Sequence, residues 1–183
     1  MSALGAAFST LEEARAALDE MAKGQGWALA QRTRKLDPQG QVRYLILRCS
    51  KGREYRQNPT VASTHETKRR HRVSTQRTGC KVTVTLTFKK DTQKWVTAMP
   101  NGDEHNHALL PAQAHTKYRI EGLNALRDRI VSLYNAGVKP TSIATQLRGE
   151  AKPDEALAGI SSQDVRNVLA RHSMGGGAST TGT

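Results

Sequence analysis

The stretch CKVTVTLTFKK, residues 80–90, decides the fold. Cys80, Val82, Val84, Leu86 and Phe88 alternate with Lys81, Thr83, Thr85 and Thr87, and side chains two apart on an extended chain share a face. The reading is a strand with one apolar and one polar side, the pattern of an antiparallel sheet covered on one face. Downstream, the turn-like DTQ leads into KWVTAMP (94–100), a returning strand that ends near NGDEHNHALL (101–110). Upstream, residues 27–36 and 42–50 flank DPQGQ, whose Asp-Pro and Gly are turn formers, so they read as a hairpin. Four antiparallel strands result, with a core drawn from Trp27, Tyr44, Ile46, Val84, Leu86, Phe88 and Trp95.

A helix precedes the sheet. Ser9 and Thr10 each have a glutamate three residues on, Glu12 and Glu13, which makes two overlapping capping-box registers. Leu11, Ala14, Leu18, Met21 and Ala22 recur at helical spacing, and Gly24 and Gly26 supply the stop. The expected fold class is α+β: an amphipathic N-terminal helix on a four-stranded antiparallel sheet, followed by a small all-helical region.

That region spans 111–172. Tyr118, Leu123, Leu126, Ile130, Leu133 and Tyr134 suit one long helix, Pro140 and Thr141 start a second, and Ser161 with Asp164 opens a third. It is either a helix-turn-helix, with Gln163, Arg166, Asn167 and Arg171 on a reading helix, or a connector or homo-oligomer contact. The roughly 12 residues between its second and third helices exceed a tight turn, which favours the connector. Residues 173–183, SMGGGASTTGT, read as a disordered tail.

Charge narrows the function. The 183 residues carry a formal net charge of +12, with 17 basic against six acidic groups in residues 27–107. A polyanion is the partner such a segment favours. Residues 51–79 hold almost no apolar side chain and contain KRRHR (68–72), so they read as a mobile basic loop. No apolar run approaches the roughly 20 residues that cross a bilayer, and the N-terminus lacks the build of a secretory signal. An intracellular, reducing compartment follows, where one bridge between the only two cysteines is disfavoured.

Those cysteines have another use. Cys49 ends the second strand, Cys80 begins the third, and His105 and His107 end the fourth, where an extended backbone would present both imidazoles on one side. Two thiolates and two imidazoles suit tetrahedral zinc. Taken alone, each residue has a duller account, a small buried hydrophobe or polar surface sequence. Their joint placement at strand ends favours the metal. Zinc binding worth about 10–16 kcal/mol in finger peptides would matter to so thin a core. Four protein ligands leave no position for water, so the metal is structural and the chain is not expected to be an enzyme. His65, His71, His115 and His172 read as surface residues.

The segments FSTLEEA (8–14), GWAL (26–29), LRCSKG (47–52), RTGCKVTV (77–84) and KWVTAMPNGDEHNHAL (94–109) together resemble the zinc-finger DNA-binding domain of far-red impaired response proteins and Mutator-like transposases, a branch of the WRKY/GCM-like fingers. The resemblance covers about residues 8–110. It implies Cys49, Cys80, His105 and His107 as zinc ligands and a nuclear, double-stranded DNA-binding role. It also implies that the strand edge Gln31–Lys35 enters the major groove, with Gln31, Arg32, Arg34 and Lys35 at the DNA. Arg43 of the sheet and Lys68, Arg69, Arg70, Arg72 and Arg77 of the loop would neutralise phosphates. The WRKYGQK heptapeptide is missing, so no target site carries over.

Transposases of this type continue into an RNase-H-like domain with three metal-binding carboxylates. Here Asp154, Glu155 and Asp164 lack the intervening strands that chemistry needs. The expected function is a transcription regulator or a transposase-derived DNA-binding fragment, with neither a small-molecule substrate nor a membrane partner. The alternative is a basic, zinc-stabilised protein-interaction module or secreted effector-type factor. RNA is disfavoured, because the eight aromatic residues fall mostly at core positions.

Overall fold

The computed structural model describes residues 3–54, 65 and 76–175, and the chain divides into two compact units, Met1–Leu109 and Leu110–Thr183. The basic cluster Lys68, Arg69, Arg70 and Arg72, most of the expected loop and the tail from residue 176 lie outside the described residues.

The first unit is a helix on an antiparallel sheet: β1 (Ala7–Phe8), α1 (Leu11–Gly24), β2 (Leu29–Leu36), β3 (Val42–Cys49), β4 (Thr83–Lys89) and β5 (Lys94–Ala98), in the order β1-β5-β4-β3-β2. Among the described residues the sheet has five strands, not four. Ala7 pairs with Val96 and Phe8 with Trp95, and a two-residue strand is too short to carry a sequence period. Of the two capping registers, the helix uses the second: Thr10 Oγ1 accepts the Glu13 N–H at 3.1 Å, while Glu13 Oε2 accepts the N–H groups of Ser9 and Thr10. Gly26, at φ 82°, takes the left-handed turn that releases the chain from α1.

Ala14, Leu18 and Ala22 form the buried face of α1. They join Leu45, Leu47, Val84, Leu86, Trp27 and Trp95 in one core. The alternation expected for β4 holds on its apolar side. In β3 the phase is the reverse of the expected one: Leu45, Leu47 and Cys49 are buried, while Tyr44, Ile46 and Arg48 lie half-buried at the alternate positions. The register Leu45↔Leu86 and Leu47↔Val84 places the leucines on the core side. Trp27 and Ala28 are buried but precede β2, and β4 begins at Thr83, three residues after Cys80. The β2–β3 turn is closed by Asp37, whose Oδ1 accepts the N–H groups of Gln39 and Gln41 at 3.0 and 2.8 Å.

The second unit is helical: α2 (Thr116–Ala125), α3 (Arg127–Asn135), α4 (Pro140–Glu150) and α5 (Ser162–Gly175), with short 3-10 turns at Ala112–Ala114 and Ala156–Gly159. The single long helix expected across residues 118–134 is broken at Leu126, where φ −103° and ψ 12° leave the helical region. Two poor helix formers, Gly122 and Asn124, precede the break. Gly122 is also needed for packing, since a Cβ there would stand 3.0 Å from Leu157 Cδ2. Leu123, Ile130, Ile143, Leu147, Ile160 and Val165 build the core. Helix α5 opens with a reciprocal cap: the Asp164 N–H donates to Ser161 Oγ at 3.2 Å and the Ser161 N–H donates to Asp164 Oδ2 at 2.9 Å. It runs to Gly175, past the expected start of the tail. No helix among the described residues is long and apolar enough to cross a membrane.

Candidate metal centre and basic edge

Three separated points of the chain meet at one end of the sheet. Cys49 is the last residue of β3, and its N–H donates to Val82 O at 3.0 Å, holding the approach to β4 alongside. The segments after Cys49 and before Cys80 are zipped together, with the Thr78 N–H donating to Lys51 O and the Gly79 N–H to Arg53 O. Gly52 sits in the tightest part of this turn: a Cβ there would stand 2.8 Å from Cys80 O and 2.9 Å from Cys49 O.

The histidines arrive differently from the expected extended strand. Strand β5 ends at Ala98, and a turn-rich segment with Gly102 at φ 71° carries the chain to His105. Two asparagines steer it. Asn101 donates its amide to Lys81 O and Thr83 Oγ1, both at 3.1 Å. Asn106, between the histidines, donates to Thr78 O at 2.9 Å and accepts from the Thr78 hydroxyl at 3.0 Å. Neither residue was expected to matter, and only their place beside the ligands would have singled them out.

The donor atoms of Cys49, Cys80, His105 and His107 all lie within 4.8 Å of one another. Cys49 Sγ is 3.1 Å from His107 Nε2, Cys80 Sγ is 3.4 Å from His105 Nδ1, and those two nitrogens are 3.2 Å apart. His107 Nδ1 lies 2.9 Å from Ala108 O. An N–H there keeps the Nε2 lone pair for the shared site. Both cysteines are buried and both histidines half-buried. Burial, reinforced by the neighbouring Cys80 and opposed by the Lys51 N–H and charge, pushes the Cys49 thiol up to about 11. Burial and then His107 lower the His105 imidazole, with Asp103 opposing. Buried sulfur therefore needs a cation beside it to become thiolate, and neutral imidazole is the form that ligates. The four residues are close enough to hold one metal ion.

Beside this site runs the edge strand β2. Gln31, Arg32, Arg34 and Lys35 are exposed along it. The pairing slips between Gln31 and Thr33, so Arg32 is the extra residue of a bulge. Arg43 is engaged within the fold: its Nε lies 2.7 Å from Asp37 Oδ2, and its guanidinium stands 4.5 Å over the Phe88 ring. Arg77 is exposed and lies with Arg32, Arg48 and Arg53 around a cavity of about 730 Å³. Burial and then the charges of Arg53, Arg32 and Arg77 lower the pKa of Arg48. Arg48 and Arg53 were not among the expected contacts, although Arg48 sits one residue from Cys49, on the opposite side of β3.

In the helical unit, Gln163, Arg166, Asn167 and Arg171 are exposed on α5, while Val165 and Val168 are buried. The segment joining α4 to α5 contains the 3-10 turn Ala156–Gly159. Asp164 caps α5 and lies 3.4 Å from Arg119, and Glu155 accepts the Lys152 N–H, so both carboxylates hold local structure. His115 is buried, against the expected surface position, with Nε2 3.0 Å from Leu110 O and its ring 5.7 Å from Tyr118.

Comparison with protein-family models, with curated proteins and with solved structures returned no match.

Proposed function

We propose that the chain is a zinc-dependent double-stranded DNA-binding protein without a catalytic centre of its own, a transcription regulator or a transposase-derived fragment acting in the nucleus. The carrying observation is the convergence of Cys49, Cys80, His105 and His107 at one end of a sheet whose edge strand β2 exposes Arg32, Arg34 and Lys35 along its length. Tetrahedral zinc, with sulfur at about 2.3 Å and nitrogen at about 2.0 Å, sets donor separations of about 3.3–3.8 Å. Three of the separations, 3.1–3.4 Å, approach that range, and all four donors lie within 4.8 Å of one another. A Cys2His2 set is one that zinc favours, and in this role the ion cross-links β3, the segment leading into β4 and the segment after β5.

The resemblance to the WRKY/GCM-like fingers supports the same reading and supplies the mode of binding. Arg32 and Arg34 approach the major groove, where guanidinium groups reach guanine edges or phosphates. The remaining lysines and arginines of the middle segment contribute counterion release. The helical unit is read as a connector or a homo-oligomer contact, since α4 and α5 are joined by a longer path than a recognition helix uses.

Metal analysis of the purified chain, coupled to random-site selection on duplex DNA with and without chelator, tests the proposal. Zinc at one per chain and chelator-sensitive selection of a defined site are expected. A metal-free sample that keeps both its fold and its DNA binding would overturn it. Salt separates this reading from a protein-interaction module: DNA affinity falls by orders of magnitude between roughly 50 and 200 mM salt, whereas an apolar interface responds little.

A further inference from the structure

A concentration of positive charge lies next to the metal centre, and only part of it belongs to the β2 edge. Arg32, Arg48, Arg53, Arg77 and Lys81 line the 730 Å³ cavity, and Glu54 is the one carboxylate among its described lining residues. The arginines come from three places brought together by the fold: the bulge of β2, the penultimate position of β3 and the two zipped arms of the turn around Gly52 and Gly79. Arg48 Nε is buried and has no hydrogen-bond partner among the described residues. A buried guanidinium N–H without an acceptor is costly and uncommon in folded proteins. Gathering further like charges around it adds repulsion, with Glu54 the one opposing carboxylate among the described lining residues.

We propose that this cavity is a phosphate-binding pocket, in which Arg48 and Arg53, with Arg32, Arg77 and Lys81, clamp a backbone phosphate of the bound duplex. The inference rests on the DNA-binding reading for the source of the phosphate, but the pocket's preference for that group follows from its own residues. Guanidinium forks match the paired non-bridging oxygens of a phosphate, and five cations against one carboxylate among the described lining residues suit a polyanion, whose neighbouring phosphates share the excess charge. The position gives the contact a mechanical role. Arg48 directly precedes Cys49, and Lys81 directly follows Cys80. A phosphate held here is therefore fixed relative to the metal, and it sets the depth and register at which the β2 edge meets the bases.

The test uses the zinc-loaded full chain and the variants Arg48→Gln and Arg53→Gln, with zinc content and circular dichroism as controls for the fold. Arg53 is exposed, so Arg53→Gln carries the test if Arg48→Gln disturbs the neighbouring metal. Inorganic pyrophosphate is the first probe, followed by calorimetry, and unselected duplex DNA is the second. Pyrophosphate should bind the parent chain and bind each variant about tenfold more weakly or worse, as expected for loss of a charge-assisted hydrogen bond. Duplex affinity should fall for every sequence alike, with the salt slope reduced by about one per lost contact. Pyrophosphate binding that the variants abolish, in a chain that binds no duplex, would keep the pocket and overturn the DNA source. Duplex binding with unchanged affinity and salt slope in both variants, and no pyrophosphate binding, would overturn the pocket while leaving the DNA reading intact.

Discussion

The His105 ring lies 4.7 Å from the Trp27 ring, tilted by 56°. Trp27 is almost wholly buried three residues after the end of α1, so the turn that follows the helix packs against the metal centre. The indole walls one side of the imidazole whose Nδ1 faces Cys80. Trp27→Ala should cost about 3–5 kcal/mol of stability in the first unit and should weaken metal binding as well. Competition with a chromophoric chelator reads the second effect, and unchanged metal affinity would show that the indole supports only the core.

Removing the metal should unfold one unit and spare the other. The helical unit has its own core, from Leu123 to Val168, whereas in the first unit the ion would join segments more than 50 residues apart. Chelation, or Cys80→Ala, should abolish the strand signal in circular dichroism and leave a helical transition on heating. Loss of all structure in one step would contradict this.

Gly52→Ala tests the tight turn between the cysteines. The new methyl would stand within 3 Å of the carbonyls of Cys49 and Cys80, and backbone cannot move aside cheaply. Destabilisation of about 1–3 kcal/mol is expected, with weaker metal binding, because the turn sets the spacing of both sulfurs. Thermal unfolding of the metal-loaded variant measures the loss.

The two halves of the basic edge should respond differently to substitution. Arg34→Ala, at an exposed position of β2, should leave stability unchanged and reduce the salt slope of duplex binding by about one. Arg43→Ala removes the contacts to Asp37 and Phe88, so it should lower the melting temperature of the hairpin unit with a smaller change in duplex affinity. Melting curves and binding isotherms of both variants separate the two roles.

Asp164 gives the helical unit an acid limit. Burial raises its pKa, but the Ser161 N–H and hydroxyl and the Arg119 guanidinium outweigh it and hold the carboxyl below its ordinary value. A carboxyl depressed in the folded state stabilises above its unfolded pKa of about 3.9. That contribution is lost as pH falls through the lower folded value. Helical melting followed from about pH 6 down to about pH 3 should show the decline, and Asp164→Asn should flatten it.

Much of this architecture is written locally. The β4 alternation, the Asp37 turn, the caps at Thr10 and Ser161 and the four donor residues can all be read from the chain, because each depends on neighbours a few positions away or on scarce residue types. What escapes is decided by tertiary contact. In VRYLILRC both parities are apolar, Tyr44 and Ile46 against Leu45 and Leu47, so only the pairing with Leu86 and Val84 chooses the buried set. Two-residue β1 has no period to read. The Leu126 break, the burial of His115 and the steering by Asn101 and Asn106 involve partners that the one-dimensional pattern does not bring near.

The sheet's two borders are closed in different ways. Beyond β5, the short β1 and the Thr97 hydroxyl's 2.6 Å bond to Ala3 O tie the start of the chain across that side. On the far side, β2 departs twice from regular pairing and bears Arg32, Arg34 and Lys35. Such irregular, cationic margins discourage another peptide from docking as an additional ribbon. Both borders thus disfavour edge-to-edge growth, and at β2 the irregular backbone leaves side chains as the better means of recognition.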